Sequence, residues 1–576
     1  ATVNGNAITL GGALSAGTLA GTTGLTINAV ANGTGNGLNQ AAYAISSSAG
    51  GVTINVNSQV GGYAYYSTGT ITATGQTIAI NTTTTTGIGI NDTGAITGGV
   101  VTIAASQTTA TATATPVTVT GLITANTVTI TGSGGASSTI VSLGAVTINA
   151  GGGNLTVTAN DVAAGGNTGI TQTGAITDNA VGSNLIFTSN NLINQTGAIS
   201  LVANTGAPAA NVIYDTTSGN KASNITGGAV TFTTGANSVM NYLAKSSGSA
   251  INPGAIGTST ASLPGYVTLD NTYGCSGTGC TPASGFITAN NISSTLATAS
   301  TGLTINSAIY NTGNISISGV SSGSHAVNYS AAIKTTGGSI SITGVSSTNY
   351  AIYGSAAAGI LSATSTTAGV ITMTGTAITS GQQAINTVAS ATITGAAGVN
   401  LTGLGTGGNI TMGALVQDSG TLGGVVVDAV GNTSLSGVTN SGANGIRITG
   451  GEGVAAGTTT GGNVTAVGTI TNTGGIVGIS MAAPENATCA TGCTIANAIG
   501  ITTLNADATK NISYGILGGA LLKASGYVSG NFINYRQKLT NTLAVSVTLN
   551  SDYSAVYGTG YNSSSANAWL QANSTV

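Results

Sequence analysis

The sequence predicts an all-β fold in which the chain winds into a parallel β-helix, also called a β-solenoid. Short segments alternate apolar and polar residues with a period of two, as in Val52-Thr53-Ile54-Asn55-Val56-Asn57, which is typical of a half-buried strand. Similar segments begin at residues 77, 101, 128 and 146, at intervals of about 18 to 27 residues. Regular recurrence of this kind is typical of repeat architectures.

Whole phrases also recur. QTGAIT at residues 172–177 returns as QTGAIS at 195–200, with the related DTGAIT at 92–97, and NISISGVSS at 314–322 returns as SISITGVSS at 339–347. A unit of about 20 to 25 residues matches one solenoid turn, with Gly and Asn at corners because they tolerate positive φ. A β-sandwich array is the competing fold, but its turn signals recur every 8 to 12 residues or so. The phrase identity favours the solenoid.

Composition excludes several classes of protein. The 576 residues include 92 Gly and only 19 charged residues (8 basic plus 11 acidic), whereas 41% are hydrophobic. Disordered chains are usually charged and poor in aliphatic residues, so a packed fold is favoured. The net charge of −3 and the late first basic residue, Lys221, predict no nucleic-acid binding. No apolar run is long enough for a membrane-spanning helix.

Two regions are predicted: a solenoid over residues 1–500 and a C-terminal cap or joint segment over 501–576. The second region contains half of the basic residues, and residues 544–549 form another alternating segment that could pair locally or on another subunit's edge. A solenoid needs its terminal turn covered, because that turn presents unpaired backbone groups. Aromatic residues also gather there, including Tyr514, Tyr527, Phe532, Tyr535, Tyr553, Tyr557 and Trp569.

The repeated phrases TGAIT and GNISI resemble those of filamentous haemagglutinin-like secreted proteins of Gram-negative bacteria. The phrase DYSAVYGT at 552–559 resembles the start of the small β-domains that follow such helices. This resemblance implies a right-handed parallel β-helix, export by two-partner secretion and a cell-surface or extracellular location. The family's secretion domain with its Asn-Pro motifs is not evident, since Asn252-Pro253-Gly254 is an isolated, mid-chain fragment.

Four cysteines form two closely spaced pairs, Cys275 with Cys280 and Cys489 with Cys493. The pairs are 209 residues apart (489 − 280), about nine turns of a solenoid, so a shared zinc site is excluded. Two local disulfides are predicted, which would place the protein in an oxidising compartment.

Candidate catalytic residues are few. His325 is the only histidine, and we interpret it as an exposed turn residue without a partner. The acidic residues are scattered; Asp418 and Asp428 are close in sequence, but no basic residue follows them before Arg447. Two placed carboxylates are the minimum for glycoside cleavage. We therefore predict no enzyme, no metal site and no cofactor, with a glycan-cleaving β-helix as the third-ranked function.

The predicted function is structural: a secreted subunit of an extracellular filament built by head-to-tail association of β-helical rods. The alternative is a monomeric stalk of a large surface adhesin. The expected partners are other copies of the chain, with host, cell-surface or matrix glycans as further candidates. The predicted assembly interface comprises Val3, Ile8, Leu10, Tyr514, Tyr527, Phe532, Tyr535, Val545, Val547, Leu549, Tyr553, Tyr557 and Trp569.

Overall fold

The computed structural model describes the chain in segments that belong to two units, divided after Gly274. Only the backbone is described for the last five segments, which begin at residue 464. The described residues are 6–17, 24–58, 62–109, 111–135, 139–162, 168–201, 210–217, 224–232, 238–245, 251–257, 266–273, 301–321, 323–388, 391–450, 464–472, 477–481, 499–506, 512–516 and 545–549.

The named elements of the described residues are all β-strands, and the strands pair in parallel with strands of the preceding and following turns. The predicted all-β parallel solenoid is therefore confirmed. Among these residues there is no helical segment with the length and apolar character needed to cross a bilayer.

In the first unit the chain runs around three faces in a fixed order. Face 1 carries the longest strands: β3 (Leu25–Ala31), β6 (Val52–Ser58), β8 (Ile71–Thr84), β10 (Ile96–Gln107), β13 (Thr127–Gly134), β16 (Leu155–Asp161), β19 (Asn184–Ser189), β22 (Asn211–Asp215), β25 (Val239–Lys245) and β27 (Tyr266–Tyr273). Face 2 follows: β1 (Ile8–Thr9), β4 (Leu38–Ala41), β7 (Tyr63–Ser67), β9 (Ile88–Asp92), β11 (Val117–Val119), β14 (Thr139–Leu143), β17 (Thr168–Gln172), β20 (Leu192–Gln195), β23 (Ile225–Thr226) and β26 (Ile251–Asn252).

Face 3 has short strands, and the first residues of β8 and β10 belong to it before those strands continue onto face 1. Its other strands are β2 (Leu14–Ala16), β5 (Ile45–Ser47), β12 (Ile123–Ala125), β15 (Val146–Ile148), β18 (Ile176–Asp178), β21 (Ile199–Leu201) and β24 (Val230–Phe232).

The second unit shows the same order of three faces. Its face 1 contains β30 (Ile315–Ser321), β33 (Ile340–Ser346), β36 (Val370–Ala377), β39 (Gly398–Leu404), β41 (Gly424–Ala429), β43 (Gly445–Gly450) and β45 (Val477–Met481). Its face 2 contains β28 (Leu303–Ile305), β31 (Val327–Tyr329), β34 (Ile352–Gly354) and β37 (Gln383–Thr387).

Face 3 of the second unit contains β29 (Ile309–Asn311), β32 (Ile333–Thr335), β35 (Leu361–Ala363) and β38 (Thr392–Gly395). Later strands run continuously across faces 2 and 3: β40 (Asn409–Asp418), β42 (Thr433–Asn440), β44 (Val464–Asn472) and β46 (Ile499–Ala506). The last described strands are β47 (Ile512–Ile516) and β48 (Val545–Leu549), which pair with each other in parallel.

The alternating sequence pattern places apolar side chains inside and polar ones outside. On face 1 of the first unit, Val52, Ile78, Val101, Val128 and Leu155 stack at equivalent positions of successive turns, and each is 0% exposed. Stacked aliphatic columns of this kind bury apolar area at every turn, about 25 cal/mol for each Å² removed from water.

Turns are longer and more variable than the 20 to 25 residues predicted from the repeats. Equivalent face 1 residues Val101, Val128, Leu155 and Leu185 are separated by 27, 27 and 30 residues. The additional residues lie at corners, as in the segment 108–116 between β10 and β11. The reason is that ladder pairing fixes the register of the strands but leaves corner length free.

The repeated QTGAIT phrase is the corner between faces 2 and 3. Its first residue points inward and its side chain bonds to the corner backbone two residues later, as in an Asx-turn. The Gly94 backbone N–H donates to Asp92 Oδ1 at 2.9 Å, and Gln195 Nε2 donates to the carbonyl of Gly197. The fragment Asn252-Pro253-Gly254 occupies the same corner, because Gly254 stacks on Gly228, which stacks on Gly197.

Glycines of successive turns form a file at this corner. A Cβ atom on Gly94 would lie 1.8 Å from the carbonyl oxygen of Gly69, and one on Gly121 would lie 1.8 Å from that of Gly94. None of these glycines has a positive φ, so the backbone needs glycine here for space rather than for the φ tolerance assumed from sequence. The file comprises Gly69, Gly94, Gly121, Gly144, Gly174, Gly197, Gly228 and Gly254.

Substitution in this glycine file is predicted to destabilise the solenoid. Gly94→Ala forces the stacked backbones apart, and we expect it to lower the free energy of unfolding by about 1–3 kcal/mol, the usual cost of overpacking. Gly11→Ala is the matched control, because nothing lies within 4 Å of its added Cβ, and it should change stability by less than about 0.5 kcal/mol. Denaturant titration followed by circular dichroism measures both; equal stability of the two variants would contradict the role of the file.

Candidate functional site

The outermost described turn of the first unit exposes the cross-section of the core. We call residues 6–17 and 24–31, which carry β1, β2 and β3, the end turn. Its inward side chains Ile8, Leu10, Leu14 and Leu25 are only half-buried. The equivalent positions of the next turn are 0% exposed, as at Leu38, Ile45 and Val52. The predicted interface residues Ile8 and Leu10 therefore lie on an incompletely covered apolar surface.

Backbone pairing of the end turn is one-sided among the described residues. β1, β2 and β3 pair with β4, β5 and β6 respectively, and none has a described partner on its other side. The N–H groups that point toward the next turn are bonded, as in Leu14 N to the Ala44 carbonyl at 2.8 Å and Leu25 N to the Gly51 carbonyl at 2.8 Å. An edge of this type is a template for addition of another parallel strand. Val3, also predicted for the interface, lies outside the described residues.

The predicted strand at 544–549 is present as β48. It pairs in parallel with β47, which places Val545, Val547 and Leu549 in register with Ile512, Tyr514 and Ile516. Thus two parts of the predicted interface, Tyr514 and the β48 residues, are adjacent in the backbone ladder. β46 begins at Ile499 and pairs with β44, so ladder pairing passes through the predicted boundary at residue 500.

Several sequence predictions lie outside the described residues. These are the two predicted disulfides and the remaining aromatic members of the interface: Cys275, Cys280, Cys489, Cys493, Tyr527, Phe532, Tyr535, Tyr553, Tyr557 and Trp569.

Acidic side chains are used in two ways in this structure. Asp92, Asp178 and Asp418 are inward-facing and 0% exposed. Asp428 instead forms an ion pair with Arg447 at 3.3 Å, and the Arg447 side chain is 57% exposed. Asp418 and Asp428, which are near each other in sequence, therefore lie on different faces, one in the core and one paired to a cation at the surface.

No group of three or more His, Cys, Asp or Glu side chains that could hold a metal ion occurs within the described segments.

Burial changes the ionisation of the corner carboxyl groups. Desolvation raises the pKa of Asp92 to about 7 from its ordinary 3.8, although hydrogen bonds from Gly94 and Ser67 oppose the rise. Desolvation likewise raises the pKa of Asp178 and of Asp418. A buried carboxyl is costly to ionise because water no longer solvates the anion. Asp92 thus carries a proton in the folded chain at mildly acidic pH.

Stability is predicted to fall as pH rises from about 4 to 7. In this window an unfolded Asp92 has lost its proton while the folded carboxyl keeps it, so the folded state pays increasingly for ionisation. Three pKa units correspond to about 4 kcal/mol at most. Asp92→Asn should remove most of this slope in denaturant titrations at pH 4, 5.5, 7 and 8, whereas Asp270→Asn, on the outer surface of β27, should retain it. An unchanged slope in Asp92→Asn would contradict the assignment.

Aromatic side chains form a cluster at the surface of the second unit, which we call the tyrosine patch: His325, Tyr350 and Tyr353. The ring centroids of His325 and Tyr350 are 5.2 Å apart, those of His325 and Tyr353 are 4.7 Å apart, and those of the two tyrosines are 5.0 Å apart. His325 is therefore not an isolated exposed residue, as interpreted from sequence, because two rings of the following turn pack on it. The near-repeat of residues 326–329 and 351–354, AVNY and AIYG, carried the signal for this stacking.

Comparison with known proteins gives no relative: no family model, no curated protein and no solved structure matches the chain. The parallel β-solenoid itself is therefore the structural basis for interpreting function.

Proposed function

We propose that this chain is a secreted structural protein, the subunit of an extracellular filament in which β-helical rods associate head to tail. The observation that carries the proposal is the end turn, whose inward aliphatic side chains are half-buried and whose strands are paired on one side within the described residues. A second copy that stacked there would cover apolar surface and extend all three ladders at once.

Parallel stacking gives such an assembly its direction. A parallel ladder has two different edges, so its contacts between copies are heterologous, and a heterologous contact that does not close builds a filament. The scarcity of charge favours the same arrangement, because 19 charged residues in 576 create little repulsion between approaching ends. The opposite surface would come from the C-terminal region of the neighbouring copy, where β47 and β48 carry the predicted interface residues.

The location proposed is extracellular or at a bacterial cell surface. The TGAIT and GNISI phrases support membership of the filamentous haemagglutinin-like secreted proteins, with a right-handed coil and export of the two-partner type. A parallel solenoid is the fold expected of that group. In this proposal the chain performs no catalysis, and its work is done by surface and assembly.

Charge in the end turn is predicted to abolish filaments. In the double variant Ile8→Lys and Leu14→Lys, stacking would bury two unpaired ammonium groups, which costs several kcal/mol. We expect fibres of the parent chain in cryo-electron micrographs and at least a tenfold loss of mean fibre length in the variant. Leu422→Lys is the control, because Leu422 is 62% exposed and lies away from the end turn in sequence and fold; its fibres should be normal.

Circular dichroism checks that the double variant still folds. Isolated elongated particles in the parent chain would reject the filament and support the adhesin stalk. Fibres that persist in the double variant would reject the end turn as the contact. Release of reducing ends from polysaccharide by the parent chain would support the glycan-cleaving enzyme instead.

A further inference from the structure

The tyrosine patch combines aromatic rings with amide side chains in one straight column. Outward residues of face 2 in the second unit stack in register from turn to turn, with Asn328 before Tyr353 and Asn386 after it. Thr304 and Thr411 continue the column at its two ends. Neighbours in such a column are about 4.8 Å apart, the spacing of strands in a sheet. Tyr353 is thus flanked on both sides by an amide group.

The adjoining corner adds further groups of the same two kinds. Successive turns there are linked by backbone hydrogen bonds, from Ala326 N to the Tyr350 carbonyl and from Ala351 N to the Gln383 carbonyl. The corner therefore brings His325, Tyr350 and Gln383 into line beside the Asn328–Tyr353–Asn386 column. Asn386 Nδ2 donates to Gln383 Oε1 at 2.5 Å, which holds both amides at the edge of the patch.

Charge is nearly absent around this patch. Lys334 is the only Lys, Arg, Asp or Glu between Asp270 and Asp418. It lies on face 3, with its ammonium group 5.9 Å from the ring centroid of Tyr310. Burial lowers the pKa of His325 below its ordinary value, so the imidazole is neutral at pH 7. An anionic ligand would find no cation in the column itself.

We propose that the tyrosine patch binds a neutral hexose unit of a glycan. One face of a pyranose ring presents C–H groups, which pack on the electron-rich face of an aromatic ring. Its hydroxyl groups are both donors and acceptors, which matches the carboxamides of Asn328, Asn386 and Gln383. Apolar surface with a few placed polar groups is the usual composition of a small-ligand site.

The ladder explains why such a site would need no further ordering. Tyr353 and the amides project from paired strands rather than from a free loop, so their spacing is fixed before a ligand arrives. Preorganisation of this kind reduces the entropy lost on binding. The proposal does not depend on the filament, because the patch lies on a lateral face of the second unit and the end turn lies in the first.

Binding is tested with the full chain and four uncharged probes: cellohexaose, chitohexaose, mannohexaose and β-1,4-galactohexaose. Saturation-transfer NMR identifies which sugar is contacted, and calorimetry gives the dissociation constant. We expect at least one probe to bind and Tyr353→Ala to weaken it at least tenfold, with Tyr353→Phe within about threefold of the parent chain. Tyr66→Ala is the matched control, because Tyr66 belongs to another half-buried aromatic pair, with Tyr63 at 5.3 Å, in the first unit.

Circular dichroism confirms folding of each variant, and Tyr353→Phe guards against loss of the ring through misfolding. Absence of binding to all four probes would overturn the proposal, as would equal losses in Tyr353→Ala and Tyr66→Ala. Binding of a heparin hexasaccharide in preference to all neutral probes would also overturn it. Fibre images of Tyr353→Ala keep this result separate from the filament: normal fibres with lost sugar binding would show that the two surfaces act independently.

Discussion

The whole structure depends on one constraint, which is that each turn must lie directly on the previous one so that parallel backbone hydrogen bonds can form. This constraint is tightest at the corner between faces 2 and 3, where the Gly94 and Gly69 backbones approach so closely that no Cβ fits between them. A larger residue would tilt one turn against the next and weaken pairing on the adjoining faces. The glycine file is therefore a condition for the ladders rather than a consequence of flexible turns.

Once the turns are stacked, identical side-chain positions also stack, and this determines both interior and surface. Inside, aliphatic columns such as Val52, Ile78 and Val101 are fully buried. Outside, amides line up in the same way: Asn55 Nδ2 donates to Asn28 Oδ1 at 2.9 Å, and Asn81 Nδ2 donates to Asn55 Oδ1 at 3.0 Å. Neutral ladders of this type explain how a chain with so few charges can still present a polar surface to water.

Stacking also separates the two surfaces to which we assign function. The end turn exists because a ladder that has a last strand leaves apolar side chains and backbone groups uncovered at that edge. The tyrosine patch exists because a lateral position repeats, which brings aromatic and amide side chains of successive turns together. An assembly contact and a ligand contact can therefore coexist on such a scaffold without competing for the same residues.

The sequence by itself determined the fold class, because period-two alternation and repeated phrases report strand faces and equivalent turns directly. It also located Ile8 and Leu10 on an incompletely covered turn and predicted the strand that became β48. Three features required the tertiary structure: the space requirement behind the glycine file, the raised pKa of Asp92, and the packing of Tyr350 and Tyr353 on His325. Each depends on the register between turns, and register is set by corners of variable length that no local pattern encodes.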